Sequence, residues 1–410
     1  MMSSTDELTA ALQRHNAGRH PQLLARKYAK MAQDPFLFLR GAAHLFYDAL
    51  PDLPLFRSAP LAWCCGDLHV ENFGSYKGDN RQVYFDINDF DEAALAPASW
   101  DMVRLLASIQ CGAESMRATP EQAQDVSRHC LEAYRSALAA GKPLWVERGT
   151  STGLVQQLLT GLGQRDRATF LDKRTVRNDQ LRTLRLDNDK ALPASAEQRL
   201  AVTAFMATFA LGQPDPAFFA VRDVALRIAG TGSLGLMRFV VLVEGKGSPD
   251  RNYLLDIKQA QPSALLPRLT ALGIAQPAWP DEAVRVQTIQ QRMQAVDHAF
   301  LHAVTLADRP CTLRGLQASE DKVDLASWGK KLSRLAEVVG TMGSCLAWDQ
   351  LRAAGRGGAA PADALIDFAR RGDWVETMLQ AAADMTALTR TQWQQCAPWL
   401  FAQAQSNQQK

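Results

Sequence analysis

Two runs of carboxylates set among apolar, strand-like segments constrain this chain most: Gly66-Asp67-Leu68-His69-Val70-Glu71-Asn72, and Phe85-Asp86-Ile87-Asn88-Asp89-Phe90-Asp91-Glu92. Carboxylates this dense point to a metal-phosphate site. An aspartate, an asparagine five positions on and a second aspartate after a turn is the spacing with which phosphoryl-transfer enzymes place a base and magnesium ligands. Val83-Tyr84-Phe85 with Ile87 reads as a short buried strand, and Lys77-Gly78-Asp79-Asn80 as a turn, so a hairpin can bring Asn72 and Asp89 together. Magnesium takes oxygen ligands, commonly a carboxylate or two from the protein, with phosphate and water completing the shell. Asn72 and Asp89 meet that need, with Asp86 the weaker contender. Asp67 beside them would orient an attacking hydroxyl and accept its proton. His69 is read as a prop for the loop. The competing reading, a solvated or purely structural acidic loop, is outweighed by the flanking apolar strands and by a second phosphate-type segment further along.

That second segment runs from Val224-Ala225-Leu226-Arg227-Ile228-Ala229 through Gly230-Thr231-Gly232-Ser233-Leu234-Gly235 into Met237-Arg238-Phe239-Val240-Val241-Leu242-Val243, with Leu254-Leu255-Asp256-Ile257-Lys258 beyond it. It reads as strand, glycine-rich turn, strand, polar turn, and a strand carrying a lysine. Glycines let backbone N–H groups approach phosphate oxygens, and Lys258 would neutralise nucleotide charge. Gly230, Thr231, Gly232, Ser233 and Gly235 are therefore candidates to hold a nucleotide, although a glycine turn alone is more often a hairpin without a ligand.

Gly66-Asp67-x-His69-x-x-Asn72, followed by Asn88-Asp89-Phe90-Asp91-Glu92 and then by Trp100-Asp101 and Arg104-Leu105, resembles the bacterial domain of unknown function 2252 family. It also resembles the catalytic half of aminoglycoside and choline phosphotransferases in the protein-kinase-like superfamily. The resemblance implies an ATP- and Mg2+-dependent transferase with a two-lobed α+β fold. Asp67 would be the catalytic-loop aspartate, Asn72 and Asp89 the metal ligands, and Asp101 the helix aspartate bracing the catalytic loop. Asp34-Pro35-Phe36-Leu37-Phe38-Leu39-Arg40-Gly41-Ala42 belongs to the same resemblance; Arg40 either clamps a phosphate or pairs with one of the acids above.

The order of the parts is unusual, since the catalytic loop lies at the front and the strand lysine at 258. A circularly permuted kinase-like arrangement follows, which close surface termini make physically easy. The helical pattern from Asp281 to His302, a strand at Pro310-Cys311-Thr312-Leu313-Arg314-Gly315-Leu316 and a helix from Leu325 to about Trp348 match the remaining kinase elements in turn. Two departures stand out. The helix after Lys258 offers Glu282 only near its start, with Gln287, Gln290 and Gln291 beyond, so the lysine lacks its usual partner; an acid from elsewhere, or an unusual nucleotide pose with AMP transfer, would account for that. Leu346-Ala347-Trp348 lacks the Ala-x-Ala-His pattern associated with the 2252 family.

With 410 residues and 47% hydrophobic content, the chain can bury a large core in two lobes. The expected division is a loose amino terminus over 1–18, a helical lobe with the catalytic loop and metal hairpin over 19–215, a strand-rich nucleotide lobe over 216–318, and completing helices over 319–410, with a polar tail from Gln403. A formal charge of +2 gives no broad basic field for nucleic acid, although the run Arg165 to Arg185 is locally basic and could line an anionic cleft or form a solvated face. Seven cysteines without metal-type spacing read as apolar fillers of a reduced protein. No charged start leads into an apolar run and no stretch is long enough to span a bilayer, so a cytoplasmic enzyme is expected, with nucleotide and a small-molecule or protein acceptor as partners. Rival readings are a two-metal phosphoesterase, since Asp67-x-His69 resembles its opening Asp-x-His, and a non-catalytic nucleotide-binding protein.

Overall fold

A computed structural model describes residues 4–406 apart from residues 188, 317, 319, 320 and 330. The fold is mixed α+β, with 49% of residues helical and several small antiparallel sheets. The largest apolar core joins the helices Ser99–Cys111, Pro120–Ala140, Leu332–Ala353 and the first part of Val375–Ser406 to the strands of the acidic front segment. Every residue of Ser99–Cys111 is buried, which makes that helix a rigid post behind the acidic loop. A short pair, Leu61–Cys64 with Ala94–Pro97, leads into and out of the motif. Between them Phe73–Lys77 pairs antiparallel with Val83–Ile87, the hairpin expected from the turn residues.

The second core belongs to a six-stranded antiparallel sheet in the order His302–Leu306, Arg309–Gly315, Tyr253–Gln259, Arg238–Val243, Val221–Arg227 and Ala191–Pro193. Period-2 alternation sorts its faces. Phe239, Val241, Leu255, Ile257 and Leu313 pack outward on Val202 and Met206 of the helix Ala196–Leu211. On the opposite face, Ala225, Val240, Leu242 and Leu254 pack under Leu171 and Leu184. Those two leucines come from the helix Arg167–Asp172 and the hairpin Thr175–Asn178/Leu181–Leu184, a feature the sequence reading took only as part of a helical stretch.

The amino terminus is not loose over its whole length. Thr5–His15 is a helix with a Ser4/Glu7 capping box, and its buried Leu8 and Leu12 pack with Cys396, Leu400 and Ala404 of the last helix. The apolar spacing of those leucines supplies the driving force that a polar composition concealed. The helix expected from Leu325 begins at Leu332, with residues 325–329 in turns, and the pattern from Asp281 to His302 is helical only over Glu282–Met293. Residues 403–406 of the supposed tail are helical, while 407–410 lie outside the described residues. All seven cysteines are free and buried. Among the described residues, no helix is long and apolar enough to cross a membrane.

Candidate functional site

Gly66 sets the acidic loop. It has φ of 91°, and a Cβ added there would overlap the carbonyl oxygen of Glu92. The Asp101 carboxylate, on the buried helix, accepts N–H bonds from Cys65 and Gly66 at 2.7 and 3.0 Å, and the Tyr47 hydroxyl donates to the Gly66 carbonyl. Asp101 thus positions the loop without lining the cavity. Gly66→Ala is expected to cost about 2–4 kcal/mol, because a left-handed backbone and a steric overlap act together. Gly161→Ala, in open space at an exposed position of the helix Gly153–Gly163, should be neutral or stabilising by about 0.5–1 kcal/mol. Denaturant titrations of the two variants check this; equal midpoints would contradict the assigned backbone.

Asp67 follows directly and forms an ion pair with Arg104, whose Nε lies 2.9 Å from Oδ1 and whose Nη2 also donates to the Leu39 carbonyl at 2.8 Å. Burial raises the Asp67 pKa, and Arg104 opposes that rise. Arg104 is fully buried and stacks over Phe46 at 4.8 Å, so one Asp67 oxygen is anchored while the other faces the cavity side. His69 is buried edge-on to Phe36, and its Nδ1 accepts the Glu71 N–H at 3.2 Å. Burial, with Arg40, Lys322 and Arg104 nearby, holds its pKa well below the ordinary value, so the ring is neutral. Asn72 donates Nδ2 to the Asp67 carbonyl at 2.6 Å, leaving its amide oxygen for a cation, and the Asn88 N–H donates to the Asn72 carbonyl at 2.8 Å. The two acidic runs are thereby tied together.

Asp89, at the hairpin exit, lies 3.7 Å from the Lys258 amine, and Asp91 contacts that amine directly. Burial raises the Asp89 pKa, yet Lys258, Arg314 and Arg238 hold it below the usual carboxylate range. Burial and Asp89 push the Asp91 pKa up, with Lys258 opposing, so of the two carboxylates Asp89 is the one whose ionised form its surroundings favour more. Lys258 finds its partner in the acidic hairpin and not in the helix Glu282–Met293. It is buried, with its amine held by two carboxylates that line the cavity. Asp86 is a correction. Lying within the strand Val83–Ile87, it faces Arg352 at 3.8 Å on the side away from the cavity and is removed from the metal candidates.

The glycine-rich turn closes over this floor. Gly230 and Gly235 adopt φ of 73° and 91°, and a Cβ on Gly232 would stand 3.2 Å from the Arg40 carbonyl and 3.6 Å from Asp67 Oδ2. Arg19 Nη1 and Lys27 Nζ donate to the Gly232 carbonyl at 2.6 and 2.8 Å. Lys27 is fully buried, and burial together with Arg19 puts its pKa well below the ordinary value. Thr231 is buried at the tip, and with Ser233 it lines the cavity. Arg40 pairs with Glu71 at 2.8 Å and lines the cavity as well, so the structural pairing considered for it is present at the site itself. Of the basic run, Arg165 pairs with Asp321 at 2.7 Å, Arg182 with Asp172 and Asp250 at 2.6 and 2.7 Å, and Arg177 with Asp250 at 3.1 Å. Among the described residues, none of Arg165 to Arg185 lines the cavity.

One cavity of about 180 Å3 is bounded by Asp67, Asn72, Asp89, Asp91 and Glu92 below, the glycine turn above, and Arg227, Arg238 and Arg314 on the sheet. Burial pushes the Glu92 pKa up to about 7, with the Ala264 N–H at 2.5 Å opposing. Arg19, Lys27, Glu92 and the three arginines were not singled out from sequence. The arginines carried a signal, since Arg227 and Arg238 bracket the glycine turn and Asp256 precedes Lys258 by two in an apolar strand. Among the described residues, no three His, Cys, Asp or Glu side chains gather as a metal cluster. The donors present, an amide oxygen and an ionised carboxylate in a cavity, suit magnesium with phosphate and water in the rest of its shell.

The profile of a protein family described as uncharacterised and conserved in bacteria, DUF2252, matches residues 19–397, and the chain belongs to that family. No curated protein and no solved structure matches it.

Proposed function

We propose that this protein is an ATP-dependent, magnesium-requiring phosphotransferase with a circularly permuted protein-kinase-like fold, acting on a hydroxyl-bearing acceptor. The observation that carries the reading is the convergence of Asp67, Asn72 and Asp89 with the glycine turn on a single cavity, from segments far apart in sequence. The sheet supports it. Two strands joined by the glycine turn, a third strand with Lys258, the helix Glu282–Met293 and two further strands follow in the order of a kinase small lobe, with the acidic loop moved to the chain's front.

In this reading Asp67, held by Arg104 and backed by Asp101, orients the acceptor hydroxyl and takes its proton as the new bond forms. Asn72 and Asp89 would hold magnesium, which when bound neutralises charge on the transferring phosphoryl group. The turn supplies N–H groups and water exclusion, and catalysis comes mainly from positioning and electrostatics. A nucleotide is larger than the present cavity, since small-molecule sites commonly span roughly 300–1,000 Å3. The present cavity therefore takes only part of a nucleotide, with the remainder outside it. AMP transfer is the second reading, favoured by Asp91 covering Lys258. The phosphoesterase reading is weakened because His69 Nδ1 is committed to the Glu71 N–H.

Thermal melts with ATP and Mg2+ test the proposal. Saturation at about a hundred times Kd stabilises a binding-competent fold by about 2.7 kcal/mol, so a clear rise in Tm that needs both components is expected. No shift with ATP and either Mg2+ or Mn2+ would overturn the reading.

A further inference from the structure

We propose that the sheet wall of the cavity is a polyphosphate-reading surface, so that the site takes its donor by the phosphate chain and is indifferent to the base. This deepens the nucleotide reading above and rests on it. Arg227, Arg238 and Arg314 come from three different strands and converge on one buried carboxylate, Asp256, at 2.7, 2.6 and 3.9 Å. Burial would raise the Asp256 pKa, but the three guanidinium groups hold it well below the carboxylate range, so it stays ionised. The cluster therefore carries positive charge in excess, and all three arginines face the cavity. Among the described residues, six carboxylates line the cavity: Asp67 is paired with Arg104, Glu71 with Arg40 and Lys322, and Asp321 with Arg165, while Glu92 accepts the Ala264 N–H, which leaves Asp89 and Asp91 set against the three arginines. Lys258 neutralises Asp91, and a divalent cation on Asp89 would neutralise the other. Anionic oxygens are then the complementary occupant, because guanidinium groups recognise them through paired, charge-assisted hydrogen bonds.

The same wall offers little to a purine or pyrimidine beyond the amides of Gln259 and Gln261, and the Gln259 oxygen already accepts from the Met237 N–H and Arg309. Among the described residues lining the cavity there is no Phe, Tyr, Trp, Val, Ile or Met, and the only larger aliphatic side chain is Leu236. The apolar part of that sheet face is already covered by Leu171, Leu184 and Phe170. Base stacking on aromatic groups is worth about 1–3 kcal/mol, and the two aromatic rings that line this cavity are already engaged, His15 stacked on His44 and His69 edge-on to Phe36.

The test is calorimetric titration of the full chain, with Mg2+, against ATP, GTP, CTP, inorganic tripolyphosphate and adenosine. The three nucleotides should bind within about threefold of one another, tripolyphosphate within about tenfold of them, and adenosine not at all at millimolar concentration. Arg314→Gln and, separately, Arg227→Gln should weaken tripolyphosphate about tenfold or more. A preference of tenfold or more for one base, adenosine binding, or wild-type tripolyphosphate affinity in either folded variant would overturn the inference. If the variants do not fold, the wild-type ligand series decides. Selective ATP binding with turnover would remove this inference and leave the proposed activity standing; base-indifferent binding without transfer would do the reverse. No binding by any phosphate compound would remove both.

Discussion

Asp67→Asn is expected to lower magnesium-dependent ATP consumption by about 10²–10⁴-fold while leaving nucleotide Kd within about threefold of wild type, the range a positioned acid–base group contributes. Asparagine is the informative replacement, because Arg104 is fully buried and donates to Asp67 through both Nε and Nη2. Truncation would leave the buried guanidinium with neither charge partner nor acceptor on that side, whereas asparagine gives up the charge and keeps the acceptor, so its stability is measured beside its turnover. The amide oxygen still accepts from Arg104 but cannot take a proton from a hydroxyl. Asp101→Asn provides the contrast. It disturbs the N–H bonds that shape the loop at Cys65 and Gly66, so it should lower both stability and turnover. A folded Asp67→Asn protein with turnover within tenfold of wild type would remove Asp67 from its role.

The front motif was legible because its chemistry is local. Gly66, Asp67, His69 and Asn72 lie within a single turn and its short 3-10 helix, so sequence spacing and spatial arrangement coincide. Lys258 was legible as a charge in an apolar strand, but its partner was not, because Asp91 reaches it from a segment on the far side of the chain's order. Asp86 misled for a physical reason. The density of acids suggested shared duty, whereas strand alternation turned Asp86 toward Arg352 and away from the cavity. Arg19 and Lys27 left no signal, since nothing in a polar amino-terminal stretch marks two basic side chains destined to hold the carbonyl of Gly232. The glycines also proved to have a second use. Gly232 and Gly235 pack against Arg40, Asp67 and Arg19 of the protein itself, so their small size serves the closed turn as well as any phosphate.

Asp89→Ala is expected to abolish the magnesium dependence of nucleotide binding: the ratio of Kd values without and with Mg2+ should fall to about one. Asp89 is the carboxylate held ionised by Lys258, Arg314 and Arg238 in a cavity that also presents the Asn72 amide. Magnesium held by few protein oxygens depends on each of them, because phosphate and water supply the rest and cannot replace a missing charge. Loss of Asp89 leaves Lys258 on Asp91, so the strand lysine keeps a partner and the fold should survive. Asp86→Asn is the matched control, a neighbouring acid facing Arg352, and should preserve the magnesium effect whatever it does to stability. Calorimetric titrations with and without Mg2+ on both variants decide the point. If Asp89→Ala retains a magnesium effect and Asp86→Asn loses it, the metal lies on the opposite side of the hairpin, and the cavity beneath the glycine turn is not where phosphate is transferred.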